Sequence, residues 1–269
     1  MDYWVRNDGR VLLVIFEMKY PDDYINKIIC GDCLEIMKEM PDNFVDLVVT
    51  SPPYNCGIDY DVYKDNLDYP DYLKFTENWL LETFRILKGT GRIALNIPYE
   101  VNLHERGGRI FLLGDYWQIM KSIGYKWAGL VDLVEIQAQR VKYTAWGSYL
   151  SASAPYIYNP KECVIIAYKN NWKKGKGKSS LITKEFIEYV SGMWYYTAET
   201  KGKTKANFSL DIPMKAIKIL SFEDDIVLDP FLGQGTTIRA CKELKRRYIG
   251  IDISKRYCQI ARAIPETLF

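Results

Sequence analysis

Ile226-Val227-Leu228-Asp229-Pro230-Phe231-Leu232-Gly233-Gln234-Gly235-Thr236-Thr237 compresses a strand, a glycine turn and the start of a helix into twelve residues. The apolar, β-branched opening reads as a buried strand, which Pro230 cannot continue because it has no N–H to donate. Ile238 to Lys245 then carries a helical pattern, and Tyr248-Ile249-Gly250-Ile251-Asp252 reads as the next strand. Strand, helix and strand at this spacing predict a parallel α/β sheet. Glycine at 233 and 235 lets a ligand approach the backbone closely, and the helix start offers free N–H groups. Asp252, seventeen residues after Gly235, is near the spacing at which an acidic residue takes ribose hydroxyls in nucleoside-binding folds. Taken alone, the same residues also fit a tight turn followed by a surface carboxylate.

The same alternation extends towards the N-terminus. Lys27 to Cys30 reads as a short strand, Leu34 to Met40 as an amphipathic helix, and Val45 to Thr50 as a second strand. A long helical pattern from about Tyr69 to Leu87 ends at Gly89 and Gly91, and Arg92 to Ile97 forms a third strand. In the middle, Tyr116 to Ile123 reads as helix, while Ala128 to Ile136 and Cys163 to Tyr168 suit paired edge strands. From Lys169 to Lys205 nine lysines face three glutamates, periodicity is weak, and Trp172, Trp194, Tyr195 and Tyr196 are interleaved. Such a stretch suits phosphate contacts, with Lys173, Lys174, Lys176 and Lys178 as the candidate phosphate-binding residues, although lysine runs are also common on plain solvated surface.

The second strand runs directly into Ser51-Pro52-Pro53-Tyr54. Two prolines stiffen this loop, so whatever it presents is held in place beforehand. Ser51 Oγ and the Pro52 carbonyl can accept hydrogen bonds while Tyr54 offers a flat face. That set suits an exocyclic amino group on a planar ring. The lone pair of such a nitrogen is conjugated into the ring; accepting its two N–H bonds from suitable directions favours a pyramidal, nucleophilic nitrogen.

Together, Thr50-Ser51-Pro52-Pro53-Tyr54 and Asp229-Pro230-Phe231-Leu232-Gly233-Gln234-Gly235-Thr236 resemble the catalytic and cofactor loops of amino-methylating DNA methyltransferases. The catalytic loop comes first, which is similar to the permuted β-group order. The resemblance implies a Rossmann-like α/β fold, S-adenosyl-L-methionine as cofactor and double-stranded DNA as partner. It implies catalytic roles for Ser51, Pro52, Pro53 and Tyr54. Asp32, in Gly31-Asp32-Cys33, would lie near the cofactor adenine, and Asp229, Phe231, Gly233, Gly235, Thr236 and Asp252 would complete the cofactor site. Residues 1–168 would form the catalytic part, with 1–17 a possible extension; 169–206 would be a target-recognition insert and 207–269 the cofactor part. Serine rather than aspartate before Pro-Pro is associated in the family mostly with cytosine N4, and adenine N6 is the alternative. The family often has a His-Pro approach to the cofactor, but Asn207 to Pro213 keeps only the proline. A restriction-modification setting with a cognate endonuclease, and a monomer or homodimer, are expectations of the same kind.

Composition removes other classes. With 269 residues, 48% hydrophobic and 26% charged, the chain is an ordinary globular protein rather than a disordered or fibrous one. The net charge of +2 neither requires nor excludes nucleic acid, since a binding face can hide inside a neutral total. The early apolar run Val11 to Phe16 is too short for a membrane helix or a secretory core, which points to the cytoplasm. Six cysteines are too few for a disulfide scaffold. Cys30 and Cys33 have redox-motif spacing, but there is no second such pair and only one histidine, His104, so no metal site is expected. No Pro-Cys pair exists for a cytosine-C5 mechanism. A non-catalytic DNA-binding module with a vestigial fold would predict damaged loops, and both loops are intact.

Overall fold

The structure, a computed structural model, describes residues 21–58, 60–103, 108–135, 148, 150–155, 157, 159, 161–197 and 208–265. The possible extension at 1–17 and three of the lysines, Lys201, Lys203 and Lys205, lie outside them.

Ten strands and seven α-helices follow one another along the described residues. The first half comprises β1 (Lys27–Cys30), α1 (Cys33–Glu39), β2 (Val45–Thr50), α2 (Tyr69–Ile86), β3 (Leu87–Pro98), β4 (Val101–Asn102), β5 (Arg109–Ile110) and α3 (Leu112–Ile123). Then come β6 (Lys126–Glu135), β7 (Glu162–Tyr168), α4 (Thr183–Tyr189), β8 (Met193–Tyr196), α5 (Asp211–Leu220), β9 (Ile226–Asp229), α6 (Thr236–Glu243), β10 (Arg247–Asp252) and α7 (Lys255–Arg262). Eight strands form one sheet in the order β1-β10-β9-β2-β3-β7-β6-β8, while β4 and β5 pair separately. Within the large sheet only β7 runs against the others.

β2 lies in the middle of the sheet and is buried along its whole length. Its residues alternate between two cores, as the period of a strand requires. Val48 joins Met37, Trp79, Leu80, Tyr116 and Met120 beneath α1, α2 and α3. Leu47 and Val49 join Ile212, Ala216, Ile217, Ile238 and Cys241 beneath α5 and α6. The result is a three-layer α/β sandwich of Rossmann-like kind. α2 shows why its sequence is helical: Pro70 sits in the first turn, and Tyr72, Thr76, Trp79, Leu80, Thr83 and Ile86 form one buried stripe.

The direction of β7 corrects the reading of the lysine-rich stretch. An antiparallel strand ends at the edge of the sheet where its neighbours begin, so the chain leaves Tyr168 at the far edge from Ser51. There Lys169 and Asn170 bond through their N–H groups to Gly91 and Gly89. Lys174 is not available to DNA: its ammonium is 2.7 Å from Asp225 and 3.2 Å from Asp46, with only 8% of the side chain exposed. Lys178 pairs with Glu223 at 2.9 Å. Burial alone would raise the Asp46 carboxyl; the Lys88 hydrogen bond and the Lys174 charge outweigh it and hold the group below its usual range. Lys173 and Lys176 belong to the same far-edge segment. Within the described part of the expected insert, β8 pairs with β6 and Trp194 is buried in the core, so this part joins the sheet.

Candidate active site

Parallel strands ending at one edge of a sheet deliver their loops to the same place, and here that edge holds a cavity of about 330 Å³. β1 leads into Gly31 and Asp32, β10 ends in Asp252, β9 leads into Pro230 to Gln234, and β2 leads into Ser51 to Tyr54. β3 adds Asn96, and the reversed β7 adds Glu162 from its first residue. Ten of the eleven catalytic and cofactor residues expected from the sequence line this cavity; Gly235 does not.

Asp229 joins the two loops. One carboxylate oxygen accepts from Thr50 Oγ1 (2.7 Å) and from the Phe231 N–H (3.1 Å), and the other from Thr237 Oγ1 (2.6 Å). It is buried, and burial pushes its carboxyl up to about 6. Its geometry is that of a pin between the base of the catalytic loop and the first turn of α6. An asparagine in its place could keep the oxygen towards Thr50 and donate to Thr237 Oγ1 instead. The raised carboxyl favours the folded state below the ordinary Asp range and loses that contribution as pH rises through about 6. Between about pH 4 and neutrality, Asp229→Asn should therefore gain about 3 kcal/mol on wild type, at about 1.36 kcal/mol per pH unit. Denaturant titrations of both proteins across that range measure the difference.

The catalytic loop is fixed from several sides. Tyr72 donates to the Pro53 carbonyl (3.0 Å) and shares a 2.7 Å hydrogen bond with Tyr116. The Asn55 and Cys56 N–H groups donate to the two oxygens of Asp65 at 2.7 and 2.9 Å. Ser51 Oγ lies 2.5 Å from Tyr54 Oη, which also reaches the Asn96 carbonyl at 3.3 Å. Burial raises the Tyr54 phenol well above its ordinary value, so it stays protonated. The loop thus has the rigidity its prolines suggest, with the tyrosine hydroxyl tied to the serine.

At the other end, Asp252 accepts from the Gly233 N–H (2.7 Å) and the Ser254 N–H (2.8 Å), one on each oxygen. Each carboxylate oxygen retains a second acceptor site, enough for a pair of hydroxyls. Asp32 caps α1 with one oxygen, accepting from Leu34 (2.8 Å) and Glu35 (3.2 Å). The Phe231 ring stands edge-on to Trp79 and Phe75. Gly233 has φ +54° and nothing within 4 Å of where a Cβ would sit, so its backbone opens onto the cavity. Gly235 serves a different purpose: a Cβ there would lie 2.8 Å from Ala261 Cβ and Ile264 Cδ1. It is needed for α7 to pack.

Sequence reading missed Asp61, which accepts from Ser254 Oγ at 2.6 Å, together with Asn96, Glu162, Tyr196 and Phe208. Their separation along the chain left no local signal. With them, five carboxyls line the cavity, and no lysine or arginine does so among the described residues. Such a wall repels phosphates and suits a ligand carrying a positive charge. An aromatic ring, hydroxyl-binding acids, an open glycine backbone and acidic surroundings together fit a nucleoside bearing a cationic centre, as the sulfonium cofactor does. Of the Cys30–Cys33 pair, Cys30 is half-buried and Cys33 is buried in α1, where burial pushes its thiol up to about 12.

The fold and the paired loops define a nucleoside-dependent α/β transferase. The chain belongs to the N6/N4 DNA methylase family, whose pattern matches residues 45–263. It is 41% identical over 164 residues to the type II methyltransferase M.MjaVI of Methanocaldococcus jannaschii, covering 61% of this chain and 82% of that one. Against the type II methyltransferase M.HpaI of Haemophilus parainfluenzae, identity is 30% over 88% of this chain and 73% of the relative. Among solved structures, a Thermus thermophilus protein assigned as a DNA modification methylase, in complex with S-adenosyl-L-methionine, superposes with a TM-score of 0.70. It is 25% identical and the match covers 89% of this chain and 95% of that one. No helix among the described residues is long and apolar enough to cross a membrane.

Proposed function

We infer that this DNA methyltransferase modifies the exocyclic amino group of a base turned out of double-stranded DNA, with cytosine N4 as the target atom. One observation carries the reading: the Ser51–Tyr54 acceptor loop and the acidic, glycine-floored nucleoside site open into the same cavity. S-adenosyl-L-methionine is the methyl donor and, when bound, supplies an electrophilic methyl group on a sulfonium. Asp32, Phe231, Gly233 and Asp252 would hold it. Ser51 Oγ and the Pro52 carbonyl would accept the amino hydrogens and so orient the nitrogen lone pair. Extrusion of the base costs a few kcal/mol, part of which Tyr54 would return by contact with the base.

Serine at 51 supports cytosine through the family association, in which an acidic or amide residue at this place mostly accompanies adenine. The similarity to type II methyltransferases supports a restriction-modification role with a partner endonuclease, and a monomer or homodimer remains the expected assembly. With Lys174 buried in ion pairs and Lys178 paired with Glu223, the DNA face would lie instead at the edge carrying the cavity, where the base must enter. Mass spectrometry of nucleosides from treated DNA tests the reading, with N4-methylcytosine expected. N6-methyladenine without it overturns the base, and neither product overturns the activity. Asp252→Ala should weaken cofactor binding by about 1.5–3 kcal/mol, the range for a hydrogen bond to a charged acceptor, as measured by calorimetry; unchanged affinity would move the hydroxyl-binding acid elsewhere.

A further inference from the structure

Glu162 is a carboxyl to which the functional reading above gives no role. It begins β7, at the edge where the catalytic loop starts, and lines the same cavity as Ser51, Pro52 and Tyr54. One oxygen accepts from Asn96 Nδ2 at 2.9 Å, and no ion pair holds it among the described residues. Asn96 in turn accepts from Tyr54 Oη through its backbone carbonyl (3.3 Å), and Tyr54 Oη lies 2.5 Å from Ser51 Oγ. Asn96 therefore stands between Glu162 and the serine, with its side chain on Glu162 and its main-chain carbonyl on the tyrosine that is bonded to the serine. The charge of Glu162 is felt at the Tyr54 phenol, second only to burial. Charged and titratable neighbours come from each packed element: Glu135 from β6, Tyr196 from β8 and Tyr54 from the loop.

We propose that the Glu162 carboxylate, oriented by Asn96, shares with Ser51 Oγ one of the two hydrogens of the target amino group and takes that proton when the nitrogen is methylated. The inference rests on the functional reading above. It answers a chemical deficit of that reading: Ser51 and the Pro52 carbonyl are both neutral acceptors, and neither is a base. As the N–C bond forms and the C–S bond breaks, the sulfur keeps the bonding pair and the nitrogen becomes cationic. One N–H proton then passes to a Glu162 oxygen, leaving a neutral methylamino group and a carboxyl that later releases its proton to water. Burial raises the Glu162 carboxyl above its ordinary value, only partly offset by the Asn96 hydrogen bond, which makes it a better proton acceptor than a surface glutamate.

Glu162→Gln is the test, in full-length protein with DNA carrying the site mapped by methylation sequencing. Asn96 Nδ2 would fix the amide oxygen, leaving the amide nitrogen facing the base amino group, donor against donor. The single-turnover rate should fall about 100-fold, the lower end for lost general-base help, while cofactor affinity by calorimetry stays unchanged. Preference for target DNA over the same duplex with an abasic target should also shrink, without cofactor present. The wild-type rate should rise with pH across the mildly acidic range; this limb should vanish in Glu162→Gln and return, shifted, in Glu162→Asp. A Glu162→Gln rate within about threefold of wild type, well short of the loss expected for a general base, or a flat wild-type profile, overturns the proposal alone. No methylated base from wild type overturns it together with the functional reading.

Discussion

Ser51→Ala is expected to cut the single-turnover methylation rate by about 10²–10³-fold, the range for removing one preorganised hydrogen-bonding group from a reaction centre. The effect is local. Ser51 is the first residue beyond β2, and its Oγ is the one side-chain acceptor on the loop apart from the tyrosine to which it is bonded at 2.5 Å. Removing it leaves the Pro52 carbonyl as the remaining fixed acceptor on the loop. The nitrogen would then lack the second contact that directs its lone pair. Cofactor affinity should not change, since the acids and glycine that would hold the nucleoside stand at the ends of β1, β9 and β10. The lost Ser51–Tyr54 hydrogen bond should cost about 1 kcal/mol of stability. Quenched-flow turnover and calorimetry on the same preparation separate the two effects. A rate within about tenfold of wild type, below the range for such a group, would remove Ser51 from the chemistry.

The legible parts of the molecule are those whose signal is local. β2 and β9 end in the same residues that sequence periodicity assigns, Thr50 and Asp229, because a buried strand followed by proline has few other readings. Asp252 was legible as the acid that ends the next apolar strand, whereas Asp32 came only through the family resemblance. What escaped depended on direction or distance. Nothing in Glu162–Tyr168 announces that β7 runs against its neighbours, yet that single reversal sends the segment from Lys169 to Lys178 to the far edge and brings Glu162 to the cavity. Lys174 sits beside Gly175 in a segment that reads as solvated, and its partners Asp46 and Asp225 come from or beside two remote strand starts. The helix α4 is short, with no buried residue, so its weak periodicity is an accurate record of an exposed element.

The two glycines of Gly233-Gln234-Gly235 should separate into one that serves binding and one that serves folding. At Gly235 an added Cβ meets Ala261 Cβ at 2.8 Å and its backbone Cα at 3.1 Å, and φ is +92°. The conformation costs about 1–2 kcal/mol for an L residue, and forcing a methyl against a packed helix adds about 1–3 kcal/mol. Against a total stability of about 5–15 kcal/mol, Gly235→Ala should therefore lower the melting temperature by about 10 °C, at roughly 2–4 °C per kcal/mol. At Gly233 nothing stands within 4 Å of the new Cβ, so Gly233→Ala carries only the backbone strain of φ +54°. Its methyl would, however, project where the backbone opens to the cavity and would obstruct the nucleoside. Gly233→Ala should thus melt only a few degrees below wild type while losing most of its cofactor affinity. Gly235→Ala, assayed below its own transition, should keep that affinity. Thermal denaturation and calorimetry on both variants decide the matter: equal losses of binding would mean that the whole turn contacts the ligand and that the packing of α7 against Gly235 is incidental.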